Sequence, residues 1–210
     1  METLSKMKFK NLIPKLDQRA IIIGTTGCGK TTLARYLLAW MPYVVIYDTK
    51  GCIQWDNFHT VRSFAELQSV QTEFTHLHYI PTLEESQDAQ AIDAFFRWIY
   101  LRGNCVLYVD ELSYVCDSTT PPFWLSNILM RGRELGIGFI GSTQRPKRIP
   151  LVLFSEADNW FCFKLRLDED AERVEKTLGV DREEIKSLPK HHFFYGGYDS
   201  LHPKPIKLEI

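Results

Sequence analysis

Paired cysteines are missing from this sequence. Its five cysteines (Cys28, Cys52, Cys105, Cys116 and Cys162) are odd in number, scattered, and never form a C-x-x-C pair. That excludes a disulfide framework and a zinc ribbon, and it points to reduced thiols in a cytoplasmic compartment. A surplus of either charge is missing too. Lys and Arg total 25 against 26 Asp and Glu, for a formal net charge of −1. A uniformly basic nucleic-acid binder is therefore excluded, and any contact with DNA has to come from local clusters of cations. Long apolar runs are also lacking. The longest, Tyr36 to Tyr47, is broken by Pro42 and is too short to cross a bilayer, so the chain is not expected to be transmembrane. Met1 to Lys10 carries three lysines with no apolar run behind them, so no secretory signal is read there. Repeats and low-complexity linkers are not found.

What is present is an ordinary globular balance, 45% hydrophobic and 24% charged, in 210 residues. That length suits one α/β core and is short for two. The expectation is a single domain over residues 1–210, with an N-terminal extension at 1–19 and edge strands at 191–210. Strand and helix patterns alternate, which predicts a mostly parallel central sheet flanked by helices on both faces. Ala20–Ile23 reads as a buried strand. Leu33, Tyr36, Leu37 and Trp40 form the stripe of the helix that follows, stopped by Pro42.

Tyr43–Tyr47 reads as the next strand, ending at Asp48. Ser63 and Glu66 have capping-box spacing for a helix from Phe64. His76–Ile80 suits a strand, and Ile92, Phe95, Phe96 and Ile99 mark a longer helix. Cys105–Val109 is a strongly apolar strand that ends in Asp110–Glu111. A helix is expected over Phe123–Leu135, stopped by Gly136, followed by a strand over Ile137–Ser142 ending at Thr143–Gln144. After Pro150 come a short helix, a strand over Trp160–Leu165, a charged helix over Glu169–Leu178, and a tail with Gly196–Gly197 as a turn. Several central strands thus end in polar chemistry at their carboxyl ends, where ligands bind in open α/β sheets.

Gly24-Thr25-Thr26-Gly27-Cys28-Gly29-Lys30-Thr31 matches G-x-x-x-x-G-K-[ST] in full, between a strand and a helix. Glycines let the backbone curl so that successive N–H groups point at phosphate oxygens, and the next helix adds the positive end of its dipole. Gly24 to Thr32 are therefore the candidate ATP-binding residues. Lys30 would reach the β- and γ-phosphates, and Thr31 would ligate Mg²⁺. Asp110 has the place of a Walker B aspartate, a second Mg²⁺ ligand, unless it merely caps a helix. Glu111 is the candidate base for the attacking water, unless it is a solvated surface acid. Cys28 contributes its backbone. His191–His192 lacks metal-ligand company.

The segment from Arg131 to Pro146, RGRELGIGFIGSTQRP, resembles the corresponding region of the FtsK–HerA superfamily of DNA-pumping ATPases. There an arginine-bearing helix precedes a glycine and an apolar strand that ends in T-Q-x-P. Tyr47-Asp48-Thr49-Lys50-Gly51 is similar to that superfamily's D-x-K-G segment. The lack of a large extra domain resembles the compact genome-packaging ATPases of tailless icosahedral DNA viruses with membranes. This resemblance implies a RecA-like core, a homo-oligomeric ring (commonly a hexamer), and translocation of double-stranded DNA. It also implies capsid or virion membrane vertex proteins as partners, in host cytoplasm and virion. It gives Gln144 the role of a γ-phosphate sensor, against the alternative of a turn-capping amide. It makes Arg133 the candidate finger acting in a neighbouring subunit, with Arg131 as competitor and a plain surface arginine as the alternative.

Asp48 and Lys50 are expected to pair with each other. Lys50, Arg62, Arg145, Lys147 and Arg148 are candidate DNA contacts, unless they are solvated surface charges. Trp55, Phe123 and Trp124 are expected to pack in the core. Two other classes compete with the motor. One is a small-molecule P-loop kinase, for which no arginine-rich lid segment is found. The other is an assembly protein that uses ATP as a conformational switch.

Overall fold

The computed structural model describes residues 12–70, 72–117, 119–197, 200–201 and 204–208. Most of the expected N-terminal extension and parts of the tail lie outside the described residues. In chain order the elements begin with β1 (Arg19–Ile23), α1 (Lys30–Leu38), β2 (Val44–Asp48), β3 (His59–Val61), α2 (Phe64–Val70) and β4 (His76–Tyr79). Next come α3 (Leu83–Gln87), α4 (Ala89–Arg102), β5 (Val106–Asp110), α5 (Phe123–Arg131) and β6 (Gly138–Thr143). The last are α6 (Leu151–Ser155), β7 (Asn159–Phe163), α7 (Asp168–Leu178), α8 (Arg182–Ser187), β8 (His192–Gly197), β9 (Ser200–Leu201) and β10 (Ile206–Lys207).

The strands form one sheet in the order β10-β8-β7-β1-β6-β5-β2-β4-β3, with β9 paired to β8. Every pair from β3 to β7 is parallel, and β8 adds antiparallel pairings to β7, β9 and β10. The expected α/β class and mostly parallel sheet are what the structure has.

Strand alternation sends side chains to two separate cores. Ile21, Ile23, Val45, Tyr47, Leu107 and Val109 face one side and pack with residues of α4 and α5 such as Phe96 and Leu125. Ala20, Ile22, Val44, Ile46, Val106 and Tyr108 face the other and pack with Leu33, Ala34 and Leu37 of α1. By the same parity, Asp48 and Asp110 continue the row of Val44, Ile46, Val106 and Tyr108, on the side of the P-loop helix. They are also direct register partners at the ends of β2 and β5.

Several local expectations are corrected. Trp40 does not complete the stripe of α1, because that helix ends at Leu38; Trp40 is 53% exposed and meets Tyr36 edge-on. The helix expected over Phe123–Leu135 is α-helical only to Arg131 and tightens into a 3-10 turn over Gly132–Leu135. There Gly132 lies so close to Ile137 that a side chain would crowd it. Phe123, at the exposed start of α5, is surface rather than core, while Trp55 is buried as expected. Gly196–Gly197 is not a turn but the end of β8, paired to Trp160 and Asn159. Sequence reasoning missed β3, α3 and α8. Among the described residues no helix is long and apolar enough to cross a membrane.

Candidate nucleotide-binding site

The turn between β1 and α1 is held from both neighbouring strands. The Gly24 N–H donates to the Thr143 carbonyl beyond β6, and the Thr25 N–H donates to the Lys164 carbonyl beyond β7. Gly24 has φ +154°, and a Cβ there would lie 2.6 Å from Phe163 Cβ and 2.7 Å from Cys28 Sγ. No other residue fits that position. The C-terminal strands brace the same turn: the His191 N–H donates to the Cys28 carbonyl, and Leu208 packs beside Gly29. The sequence reading gave this segment no role. Burial pushes the Cys28 thiol above its ordinary range, consistent with a packing role for its sulfur.

Lys30 is buried and folds back over the turn, its Nζ donating to the carbonyls of Gly24 (2.7 Å) and Thr25 (3.1 Å). Burial lowers the ammonium's pKa. A buried cation held only by neutral carbonyls is a group for which an anion is the natural partner.

One strand, β6, separates β1 from β5, and it carries the connections between the glycine turn and the acidic pair. Thr26 Oγ1 donates to Gln144 Oε1 at 2.7 Å. The Gln144 N–H in turn donates to Glu111, 3.2 Å from Oε1 and 3.1 Å from Oε2. Glu111 also accepts from Ser113 Oγ (2.7 Å) and Thr143 Oγ1 (2.9 Å), and it is only 4% exposed. It is no solvated surface acid. Its φ of +63° is unusual for a glutamate and breaks the strand alternation, swinging the carboxylate away from the row that holds Asp110. Gln144 caps no turn with its side chain: its amide oxygen faces the phosphate loop while its backbone holds the carboxylate.

Asp110 is buried, with Oδ1 accepting from Ser142 Oγ (3.0 Å) and Tyr108 OH (3.1 Å). Oδ2 has no hydrogen bond among the described residues, and burial raises the carboxyl's pKa. A carboxylate with one oxygen unsatisfied and its ionised form disfavoured by burial fits a divalent cation, which would supply the missing charge. The Thr31 hydroxyl, in the first turn of α1, also has no partner among the described residues. Thr31 and Asp110 thus suit Mg²⁺.

Asp48 departs from expectation. It does not pair with the Lys50 side chain. Its Oδ1 accepts the backbone N–H groups of Lys50 (3.0 Å) and Gly51 (2.9 Å), and its Oδ2 lies 3.2 Å from His78 Nε2. Burial alone would raise this carboxyl's pKa, but the hydrogen bonds from His78, Gly51 and Lys50 outweigh it and hold the value below the ordinary range. Lys50 is left exposed, its ammonium 5.3 Å from the Tyr114 ring centre.

Arg133 lies at the other end of the strands. Its guanidinium bonds both oxygens of Asp158 (2.8 and 3.1 Å), whose backbone N–H donates to Arg19 at the start of β1. Five residues of strand, about 16 Å, separate that point from the glycine turn, so Arg133 cannot serve its own subunit's site. Arg131 is exposed and has no partner among the described residues. Of the candidate DNA contacts, Arg145 is held by Asp170 (2.8 Å) and Glu169 (2.7 Å), and Lys147 lies 3.5 Å from Glu169. Arg62 and Arg148 are exposed. No cluster of metal-ligating side chains involving His191 or His192 is found among the described residues.

No protein-family model and no curated protein matches the chain. Solved structures do. The genome packaging NTPase B204 from Sulfolobus turreted icosahedral virus 2, in complex with AMPPCP, matches with a TM-score of 0.72 at 19% identity, covering 93% of this chain and 100% of that one. The DNA-packaging ATPase B204 from Sulfolobus Turreted Icosahedral Virus matches with a TM-score of 0.72 at 20% identity, covering 92% and 98%. The cytoplasmic domain of the Thermomonospora curvata Type VII secretion ATPase EccC matches with a TM-score of 0.60 at 17% identity; it covers 88% of this chain, which spans only 23% of that one. The likeness to packaging ATPases read from the sequence is thus met in three dimensions: the chain has the P-loop NTPase fold of a viral genome-packaging enzyme over nearly its whole described length.

Proposed function

We propose that this protein hydrolyses ATP with Mg²⁺ and uses the energy to move double-stranded DNA through a homo-oligomeric ring, packaging a viral genome. The observation that carries the chemistry is the continuous hydrogen-bonded path from Thr26 through Gln144 to Glu111. A loop shaped for phosphates is thereby tied to a buried carboxylate aimed at the same crevice. Lys30 would leave its carbonyl partners for the β- and γ-phosphates. Asp110 and Thr31 would hold Mg²⁺, which neutralises charge on the β- and γ-oxygens. Glu111, fixed by three donors, orients and deprotonates water; Gln144, fixed between loop and base, reports γ-phosphate occupancy to both.

The likeness to the genome packaging NTPase and the DNA-packaging ATPase supports the choice of DNA as cargo. Ring assembly follows from Arg133 lying beyond reach of its own site: such a finger works only in a neighbour. Candidate groups for tracking the duplex are the exposed Arg62, Arg148 and Lys50. A hexamer presenting one or two such cations per subunit would contact on the order of 6–12 phosphates, so near-zero net charge is no obstacle. Capsid or virion membrane vertex proteins are the expected docking partners, in the host cytoplasm and virion.

A phosphate-release assay with and without duplex DNA, run alongside a mass measurement of the assembly, tests this reading. DNA-stimulated hydrolysis by a ring is the expected result. Hydrolysis by a monomer indifferent to DNA would favour an ATP-driven assembly switch instead.

A further inference from the structure

The crevice has a second side. Glu111, Gln144 and Asp110 all lie on the β6–β5 side of the glycine turn, so a triphosphate on that turn points its γ-phosphate there and its nucleoside the opposite way, over β7. On that side is an open cavity of about 710 Å³. Its walls are the turn itself from Thr25 to Cys28, the chain beyond β7 at Lys164 and Arg166, and the segment from Ser187 to Lys190 after α8. Among the described residues the side chains of Lys164, Arg166 and Lys190 have no ion-pair partner, and no carboxylate lines the cavity. Leu188 and Pro189 supply an apolar face between the cations.

We propose that this cavity is the nucleoside subsite and that it does not select the base, so that ATP and GTP serve equally. The proposal rests on the ATP-hydrolase reading above. Reading one purine against another requires fixed groups matched to the 6-position, an acceptor for the amino group of adenine or a donor for the carbonyl of guanine. The side chains here are hydroxyls, which both donate and accept, and long-stemmed cations, which move. No side-chain amide or carboxylate lines the cavity. Arg166 and Lys190 hold the ribose and α-phosphate by charge, and Pro189 offers the base a flat apolar contact.

The test combines calorimetry, photolabelling and kinetics on the full chain with Mg²⁺. Both 8-azido-ATP and 8-azido-GTP should label residues 164–166 or 187–190, each competed by ATP. The kcat/KM values for ATP and GTP should agree within about tenfold, whereas a site built to hydrogen-bond one base edge discriminates by about 10⁴ or more. Replacing both Arg166→Ala and Lys190→Ala, at exposed positions, should raise KM for the two nucleotides by the same factor, on the order of tenfold. Label confined to other segments, a preference above tenfold, or a KM change below twofold would overturn the subsite while leaving the hydrolase intact. A wild-type chain that binds neither nucleotide in the calorimeter would sink the hydrolase reading itself, and the subsite with it.

Discussion

Two carboxylates side by side at the ends of β2 and β5 have opposite environments. Asp48 is saturated with donors and its pKa is depressed; Asp110 is short of them and its pKa is raised by burial. For Asp48 the depressed pKa contributes stability that is fully present above the ordinary value of 3.8 and is lost as pH falls through the folded value. Asp48→Ala should cost about 3 kcal/mol, because it strands His78 and two backbone donors. Asp48→Asn should flatten the acid limb of a urea-midpoint-versus-pH curve; an unchanged limb would mean Asp48 is not what acid attacks. For Asp110 the sign is reversed, since the ionised form is disfavoured in the fold. Asp110→Asn should therefore abolish hydrolysis yet stabilise the nucleotide-free protein by about 1 kcal/mol, or 2–4 °C in Tm. A lower Tm would show the carboxylate to be satisfied without a cation. Glu111→Gln should keep ATP binding and stop turnover; wild-type rates would assign the base elsewhere.

At the scale of elements, the glycine turn is the most constrained piece. Gly24→Ala forces a side chain into Phe163 and Cys28 at a φ that only glycine accepts. It should cost about 2–4 kcal/mol and lower Tm by several degrees, with loss of nucleotide affinity; normal stability by thermal melting would contradict the packing described. This turn was legible in the sequence because the motif fixes residue types at fixed spacing. So were β1, β2, β5 and β6, whose unbroken apolar runs can be buried only in a parallel sheet. The short elements were not. α3 begins at a capping box, Thr82 with Glu85, and α8 at Asp181, which accepts from the N–H groups of Glu183 and Glu184. Those signals stand in the sequence, but helices of five and six residues show no readable apolar stripe. The Asp48–His78 contact joins residues thirty apart through the β2–β4 pairing, which local spacing cannot reveal. The bracing of the glycine turn by His191 and Leu208 was hidden for the same reason.

At the scale of the whole molecule, the sheet has two working ends. One carries the phosphate loop and acidic pair, the other Arg133 on Asp158, and in a ring the second end of one subunit can face the first end of the next. Arg133→Ala should be inactive alone yet regain part of its activity when mixed with Lys30→Ala, because each contributes the half the other lacks. No regain in mixed rings would remove Arg133 from the site and leave the unpartnered Arg131 to be tested in the same way. Affinity for duplex DNA should fall steeply between 50 and 200 mM salt, as expected for about 6–12 neutralised phosphates; a flat response would exclude tracking of the backbone. All of this presupposes that a magnesium-bound triphosphate occupies the crevice between the glycine turn and Asp110. Titration calorimetry with Mg²⁺ and a non-hydrolysable ATP analogue measures that directly. The account predicts saturable heat from the wild-type chain that disappears in Lys30→Ala and weakens when Mg²⁺ is withheld; no heat from the wild type, or equal heat from Lys30→Ala, would contradict it.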